Sequence, residues 1–187
     1  MSTFDMDETP IGRAAQQAAR LKNPNRNKLP RPEKCRKITI ANQKGGVGKT
    51  TSTVNLAWSL SLLGMKVLVI DLDPQGNAST ALDAVHHVGT PSSYEVLLNE
   101  MSVDEVMQGN DENENIFCVP ATIDLAGAEI NLVNEVRREY RLSSALSDGW
   151  MEEHGFDYVF IDCPPSLGLL TINAMTAVCL LYTSDAA

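Results

Sequence analysis

Cysteine is scarce in this sequence and poorly placed for chemistry: Cys35, Cys118, Cys163 and Cys179 are widely separated, and no two form a C-x-x-C pair. That spacing excludes a zinc site and a disulfide framework, and leaves buried, reduced thiols of a cytosolic protein as the reading. Long apolar runs are missing as well. Nothing approaches the roughly 18–20 apolar residues of a membrane span, and no apolar segment of a secretory signal follows the N-terminal charges. Positive charge is lacking over most of the chain. Residues 1–37 hold nine Lys/Arg against four Asp/Glu, a net of +5, whereas the remainder holds six against twenty, a net of −14. A basic arm on an acidic body points to nucleic acid or another acidic partner for the arm; a disordered, solubilising leader is the plain alternative.

What is present fits one folded domain behind that arm. A chain of 187 residues with 43% hydrophobic and 21% charged content can bury a sizeable core. Prolines at 10, 24, 30 and 32 punctuate the polar leader, where "IGRAAQQAARLK" has the makings of a short basic helix and "NPNRNKLPRP" reads as linker. The body begins with the β-branched run "RKITIANQ". In "TTSTVNLAWSLSLLG", Val54, Leu56, Ala57, Leu60 and Leu63 recur at helical spacing, and Gly64 is placed to end the helix. "KVLVIDL" and "FDYVFIDCPPS" are near-continuous apolar runs, as expected of strands buried on both faces, and "NIFCVPA" reads as a further strand. "SSYEVLLNE" and "SVDEVMQ" predict short helices, the second with a Ser102/Glu105 capping box. "NEVRREYRLSSALSDGW" and "GLLTINAMTAV" also predict helix. Strands alternating with helices indicate an α/β fold, a doubly wound and mostly parallel sheet.

Three segments carry chemistry. The first is "KGGVGKTT", placed between a strand and a helix, which is the context a phosphate-binding loop requires. Glycines let backbone N–H groups approach phosphate oxygens, and the helix N-terminus behind them favours the anion. Lys49 is expected to bridge the β- and γ-phosphates, and the Thr50 hydroxyl to ligate Mg²⁺ beside Thr51 near the α-phosphate. Gln43 stands where the common G-x-x-x-x-G-K-[ST] pattern has its first glycine. The second is "VIDLDPQGN", which puts Asp71 and Asp73 at a strand's C-terminal end, where ligands of open α/β sheets sit. A carboxylate near the γ-phosphate can orient or deprotonate the attacking water. The third is "YVFIDCPPS", an apolar strand closing on Asp162, the pattern of a Walker B acid that holds Mg²⁺ directly or through water. Cys163 lacks a His/Asn partner pattern and reads as a structural thiol.

These segments resemble the ParA/Soj partition ATPases, within the deviant-Walker group that includes MinD and nitrogenase iron protein. The deviant loop K-G-G-x-G-K-[ST] is matched from Lys44 through Thr50: Lys44, Gly45, Gly46, Val47, Gly48, Lys49, Thr50. Similarity extends through "DLDPQGNAST", "VPATIDLAGAE" and "IDCPPSLGLLTINA". The resemblance implies a P-loop ATPase using ATP and Mg²⁺, with Lys49 and Thr50 as phosphate and magnesium contacts, Asp73 as water activator and Asp162 as the Walker B acid. It makes Lys44 a signature lysine that reaches the partner's nucleotide in an ATP-dependent homodimer. It further implies a ParB-type centromere-binding partner, non-specific DNA bound by the intact protein, and a cytoplasmic, nucleoid-associated location without a membrane. The alternative within the group is a MinD-like membrane-positioning switch, which needs a C-terminal basic amphipathic helix. The cluster-bearing loops of an iron protein are not recognisable around Cys118 or Cys163.

The expected organisation is a basic arm over 1–36, an ATPase portion over 37–178 and a tail over 179–187 outside the family pattern, for which a sequence-assembly artefact is one explanation. The family's domain continues past the equivalent of Val178, so the chain is expected to be truncated at its C-terminus. Its body has only Lys66, Arg137, Arg138 and Arg141 as cations beyond the glycine loop. DNA affinity rises with the number of phosphates neutralised, so that body predicts a poor DNA surface.

Overall fold

The structure is a computed structural model, and it describes residues 29–182. The chain divides into two units, residues 1–30 and 31–187, and the sheet with its helices belongs to the second. The expected basic helix at 11–22 and the last residues of the tail lie outside the described residues.

Six strands form one sheet: β1 (Arg36–Ile40), β2 (Val67–Asp71), β3 (Gln108–Gly109), β4 (Ile116–Val119), β5 (Tyr158–Asp162) and β6 (Leu180–Tyr182). Their order is β3-β4-β2-β5-β1-β6; every pairing is parallel except the antiparallel β3–β4 edge. Parallel neighbours need crossovers, and helices supply them on both faces. One face carries α1 (Lys49–Leu62) against Val67 and Val69 of β2 and Phe160 of β5. On the other, Leu68, Ile70, Val159 and Ile161 pack against α3 (Ser93–Leu98), α5 (Ala128–Leu132), α6 (Arg141–Ala145), α7 (Asp148–His154) and α8 (Leu169–Ala177). Alternate residues of β2 thus enter two different cores, which is why its sequence reads as unbroken apolar.

Helix α1 sits on the sheet through small residues. Its buried positions are Lys49, Thr53, Ala57 and Ser61, one row at i, i+4, i+8 and i+12. Leu56, expected to face the core, is instead 50% exposed. The loop before α1 brings the helix close to β5, where Thr53 Oγ1 donates toward Asp162 Oδ1 (3.5 Å), and that proximity leaves room only for small side chains. The helix ends at Gly64 as predicted, with Met65 N–H returning to Leu60 O and Gly64 N–H to Ser61 O.

Elsewhere local signals compete. The capping box at Ser102 is formed, with Ser102 N–H donating to Glu105 Oε2 at 2.7 Å, but its helix α4 (Val103–Val106) stops early. Gln108 leaves it for β3, where its side-chain amide pairs with both backbone groups of Val85. Residues 134–150 are not one helix. Arg137 adopts φ 57° and starts a 3₁₀ turn, and the Ser147 hydroxyl caps a new helix, α7, by accepting from Trp150 N–H. Between β2 and α3 the chain forms α2 (Asn77–Ala81), a single turn of helix.

The sheet continues past Val178: Leu180–Tyr182 pair in parallel with Ile38–Ile40. Cys118 and Cys163 are buried free thiols as expected, Cys35 is half-buried against Met151, and Cys179 is exposed because it enters the outermost strand. Two cations counted with the arm are held by the body. Arg31 pairs with buried Asp157 (3.1 Å), and Lys37 with Asp148 (3.1 Å). No helix among the described residues is long and apolar enough to cross a membrane.

Candidate phosphate-binding site

Strands β1, β2 and β5 end in register: Ile40 faces Asp162, and Asp162 faces Asp71. Their outgoing loops, 41–48, 72–76 and 163–168, therefore leave from one edge of the sheet. They enclose a cleft of about 770 Å³ whose lining includes Gly45, Gly46, Gly48, Lys49, Thr50 and Asp73, together with Gln75, Asn77 and Pro165.

The first loop is shaped by its own backbone. Asn42 Oδ1 accepts from Lys44 N–H at 2.8 Å, a side-chain-closed turn. Gly48 caps α1 with φ 83°, a conformation that a side chain resists. A Cβ added at Gly45, Gly46 or Gly48 would meet no atom within 4 Å. The glycines are thus not demanded by internal packing; positive φ at Gly46 (73°) and Gly48 (83°) is what favours glycine there.

Lys49 is buried, 8% exposed, and its ammonium donates to the Lys44 carbonyl at 3.1 Å. Among the described residues no ion pair neutralises it. Thr50 Oγ1 donates to Asp162 Oδ2 at 2.7 Å. Sequence reasoning places these three residues together across a gap of 112 positions, and the structure brings them together. Thr51 and Asp73 line the same cleft, and Val47 lies half-buried in the loop wall. Lys44 is exposed and is not among the residues lining the cleft, and its carbonyl accepts from Lys49.

The acids differ sharply. Asp73 is half-buried, and its Oδ1 accepts from Gln75 N–H at 3.0 Å. Asp71 is fully buried; burial pushes its carboxyl upward, against three hydrogen bonds that favour the charge. Asp162 is pushed up to about 7, chiefly by burial and then by Asp71 and Asp73, while the Thr50 hydroxyl and Lys49 pull it down. The Cys163 thiol, buried against Thr39 Oγ1 (3.1 Å), is pushed up to about 12 and stays a structural thiol.

Asp162 gives a pH signature. A carboxyl that holds its proton more tightly when folded contributes stability below its ordinary value of 3.8, and loses that contribution as pH rises through about 7. Thermal melts of the nucleotide-free protein should therefore show wild type falling relative to Asp162→Asn by roughly 5 °C between pH 4 and 7.5. Parallel curves would show that the Asp162 environment is wrongly described.

A hydroxyl joined to a carboxylate, both oxygen donors, suits a hard cation that keeps most of its waters, so Thr50 and Asp162 fit Mg²⁺. Among the described residues no group of three or more His, Cys, Asp or Glu could cage a metal alone. Sequence reasoning missed Asn42, Ser79 and Asn55. Asn42 carries a usable signal, standing two residues before the N–H it accepts; Asn55 lines the cleft from α1, one turn after Thr51, and Ser79 follows from its contact with Asp71.

A family model described as AAA domain matches residues 35–181. The chain belongs to this family. Within it, the sporulation initiation inhibitor protein Soj of Bacillus subtilis (strain 168) is 49% identical over 140 residues, 75% of this chain and 54% of Soj. The chromosome partitioning protein ParA of Myxococcus xanthus (strain DK1622) is also 49% identical over 140 residues, 75% of this chain and 48% of that protein. Among solved structures, cobyrinic acid a,c-diamide synthase from Mycobacterium smegmatis, with bound ATP analog and magnesium, superposes with a TM-score of 0.72 at 41% identity. The match covers 80% of this chain and 59% of that one. This family member is ParA-like over the part it spans, which is about half the length of the curated relatives it matches.

Proposed function

We propose that this chain is the nucleotide-binding part of a partition ATPase that hydrolyses ATP to ADP and phosphate with Mg²⁺. One observation carries the reading: a buried lysine, unpaired with any acid among the described residues, opens into a glycine-lined cleft beside a hydroxyl–carboxylate pair. A buried cation of that kind calls for an anion, and a loop of N–H groups at a helix N-terminus selects phosphate. The solved relative named as a synthase carries a bound ATP analog and magnesium, but the higher identity to Soj and ParA favours partition.

In this reading the loop amides of 45–51 and the Lys49 ammonium hold the triphosphate. Thr50 and Asp162 would hold the magnesium ion. Magnesium, when bound, neutralises phosphate charge. Asp73 orients the attacking water and takes its proton, a role open to a half-buried carboxylate at the cleft wall. By the resemblance to the partition ATPases, Lys44 is assigned to a second subunit's nucleotide, and ATP to closing a homodimer. A ligand shifts such an equilibrium only by binding the dimer better than the monomer. DNA and a ParB-type partner are assigned to the intact cytoplasmic protein, at the nucleoid. The acidic body supports placing the DNA surface elsewhere: Lys66 donates to His154 O and stacks over Phe117 and Phe156, while Arg138 and Arg141 pair with Glu139 and Glu135.

Calorimetry on the intact protein should show ATP uptake that needs Mg²⁺, and sedimentation should show monomer passing to dimer when ATP is added. No magnesium-dependent heat overturns the reading. Monomers that persist with ATP bound would keep the pocket and remove the dimer.

A further inference from the structure

The Asp71 carboxylate is completely buried, yet no cation pairs with it among the described residues. Its hydrogen bonds all go to the turn that carries Asp73. Oδ1 accepts from Asp73 N–H at 3.0 Å. Oδ2 accepts from both Ser79 N–H (2.9 Å) and Ser79 Oγ–H (2.7 Å) in α2. One carboxylate therefore clamps both ends of the segment 73–79. Around it, Leu72 N–H donates to Asp162 O (2.9 Å), Gly76 N–H to Asp73 O (2.8 Å), and Ser93 Oγ–H to Asp71 O (2.7 Å). The Ser79 hydroxyl also accepts from Ala121 N–H at 3.0 Å, which ties the turn to the segment after β4. Of the two acids, only Asp73 lines the cleft.

We infer that Asp71 and Ser79 are positioning residues for ATP hydrolysis: their hydrogen bonds hold the Asp73 backbone so that its carboxylate stands where attacking water binds. The inference rests on the proposed ATPase reading. The clamp needs two acceptor oxygens, which a carboxylate supplies and an amide does not. Three donors converge on two oxygens, and in an asparagine an NH₂ takes one of those positions, facing either the two Ser79 donors or Asp73 N–H. A misplacement of about 1 Å at a reacting group can lower the rate about a hundredfold without weakening binding.

The test compares kcat with affinity for a non-hydrolysable ATP analogue in the intact protein. Asp71→Asn should lower kcat about tenfold or more, and Ser79→Ala, which keeps the Ser79 N–H bond, about three- to tenfold, with analogue affinity within about twofold of wild type. Asp73→Ala is the reference. In the Asp73→Ala background, Asp71→Asn and Ser79→Ala should lower kcat no further, because residues acting through a third are non-additive with it. If Asp73→Ala itself leaves kcat unchanged, the ATPase assignment of the site fails. If Asp73→Ala lowers kcat but folded Ser79→Ala and Asp71→Asn do not, only the positioning role is overturned. Additive losses, or losses matched by affinity, would make the pair merely structural and overturn it equally. Should Asp71→Asn fail to fold, Ser79→Ala decides alone.

Discussion

Asp73→Ala is expected to leave ATP binding within a few-fold of wild type while lowering turnover by about 10²–10⁴, the size of rate factor that positioned acid–base groups contribute. Asp73 suits the role by location: it shares the cleft with Lys49 and Thr50, its turn is pinned by Asp71, and its Oδ1 accepts from one backbone donor, Gln75 N–H. Its contribution lies in the reaction and not in holding phosphate, since a carboxylate repels a triphosphate. Affinity for a non-hydrolysable analogue should hold or tighten. Asp73→Asn separates the turn from the chemistry, because the amide oxygen still accepts from Gln75 N–H but takes no proton. A turnover in Asp73→Asn close to wild type, measured by phosphate release, would remove Asp73 from the reaction.

Lys49→Ala should act on the other quantity. Each hydrogen bond to a charged group contributes about 1.5–3 kcal/mol, and an ammonium bridging two phosphates makes two. The expected loss is about 3 kcal/mol or more, at least roughly a hundredfold in ATP affinity by calorimetry. The nucleotide-free fold should change little, because the substitution deletes an unneutralised buried cation and exposes one carbonyl, Lys44 O, to water in the open cleft. Lys49→Arg is not a rescue: the planar fork does not fit a space shaped for a point charge. Unaltered affinity in Lys49→Ala would show that the glycine-lined cleft does not hold the triphosphate through this side chain.

Why these two residues are visible in the sequence, and others are not, has a physical basis. Lys49 and Thr50 follow a loop whose glycines, charge and flanking strand and helix are contiguous, so local chemistry identifies them. Asp73 and Asp162 are legible because parallel strands present their C-terminal ends to one edge, so an acid closing an apolar run is placed by the fold class itself. Ser79 cannot be read that way. Its value depends on a turn folding back across eight positions to Asp71, and nothing in "GNAST" announces that. The buried face of α1 misleads for a similar reason: hydropathy favours Leu56, but the close approach to β5 selects Thr53, Ala57 and Ser61. Gln108 has helical neighbours, yet it is drawn into an edge strand by a pairing with Val85 that lies 23 residues away.

The small-residue seam of α1 has a dynamic consequence. A helix seated so close to its sheet, fastened at Thr53 to β5 and at Ser61 to Asn113, behaves as the stationary jaw of a vice. Under the proposed ATPase reading, any movement that answers to the terminal phosphate is expected in the loops facing α1, with the helix itself left in place.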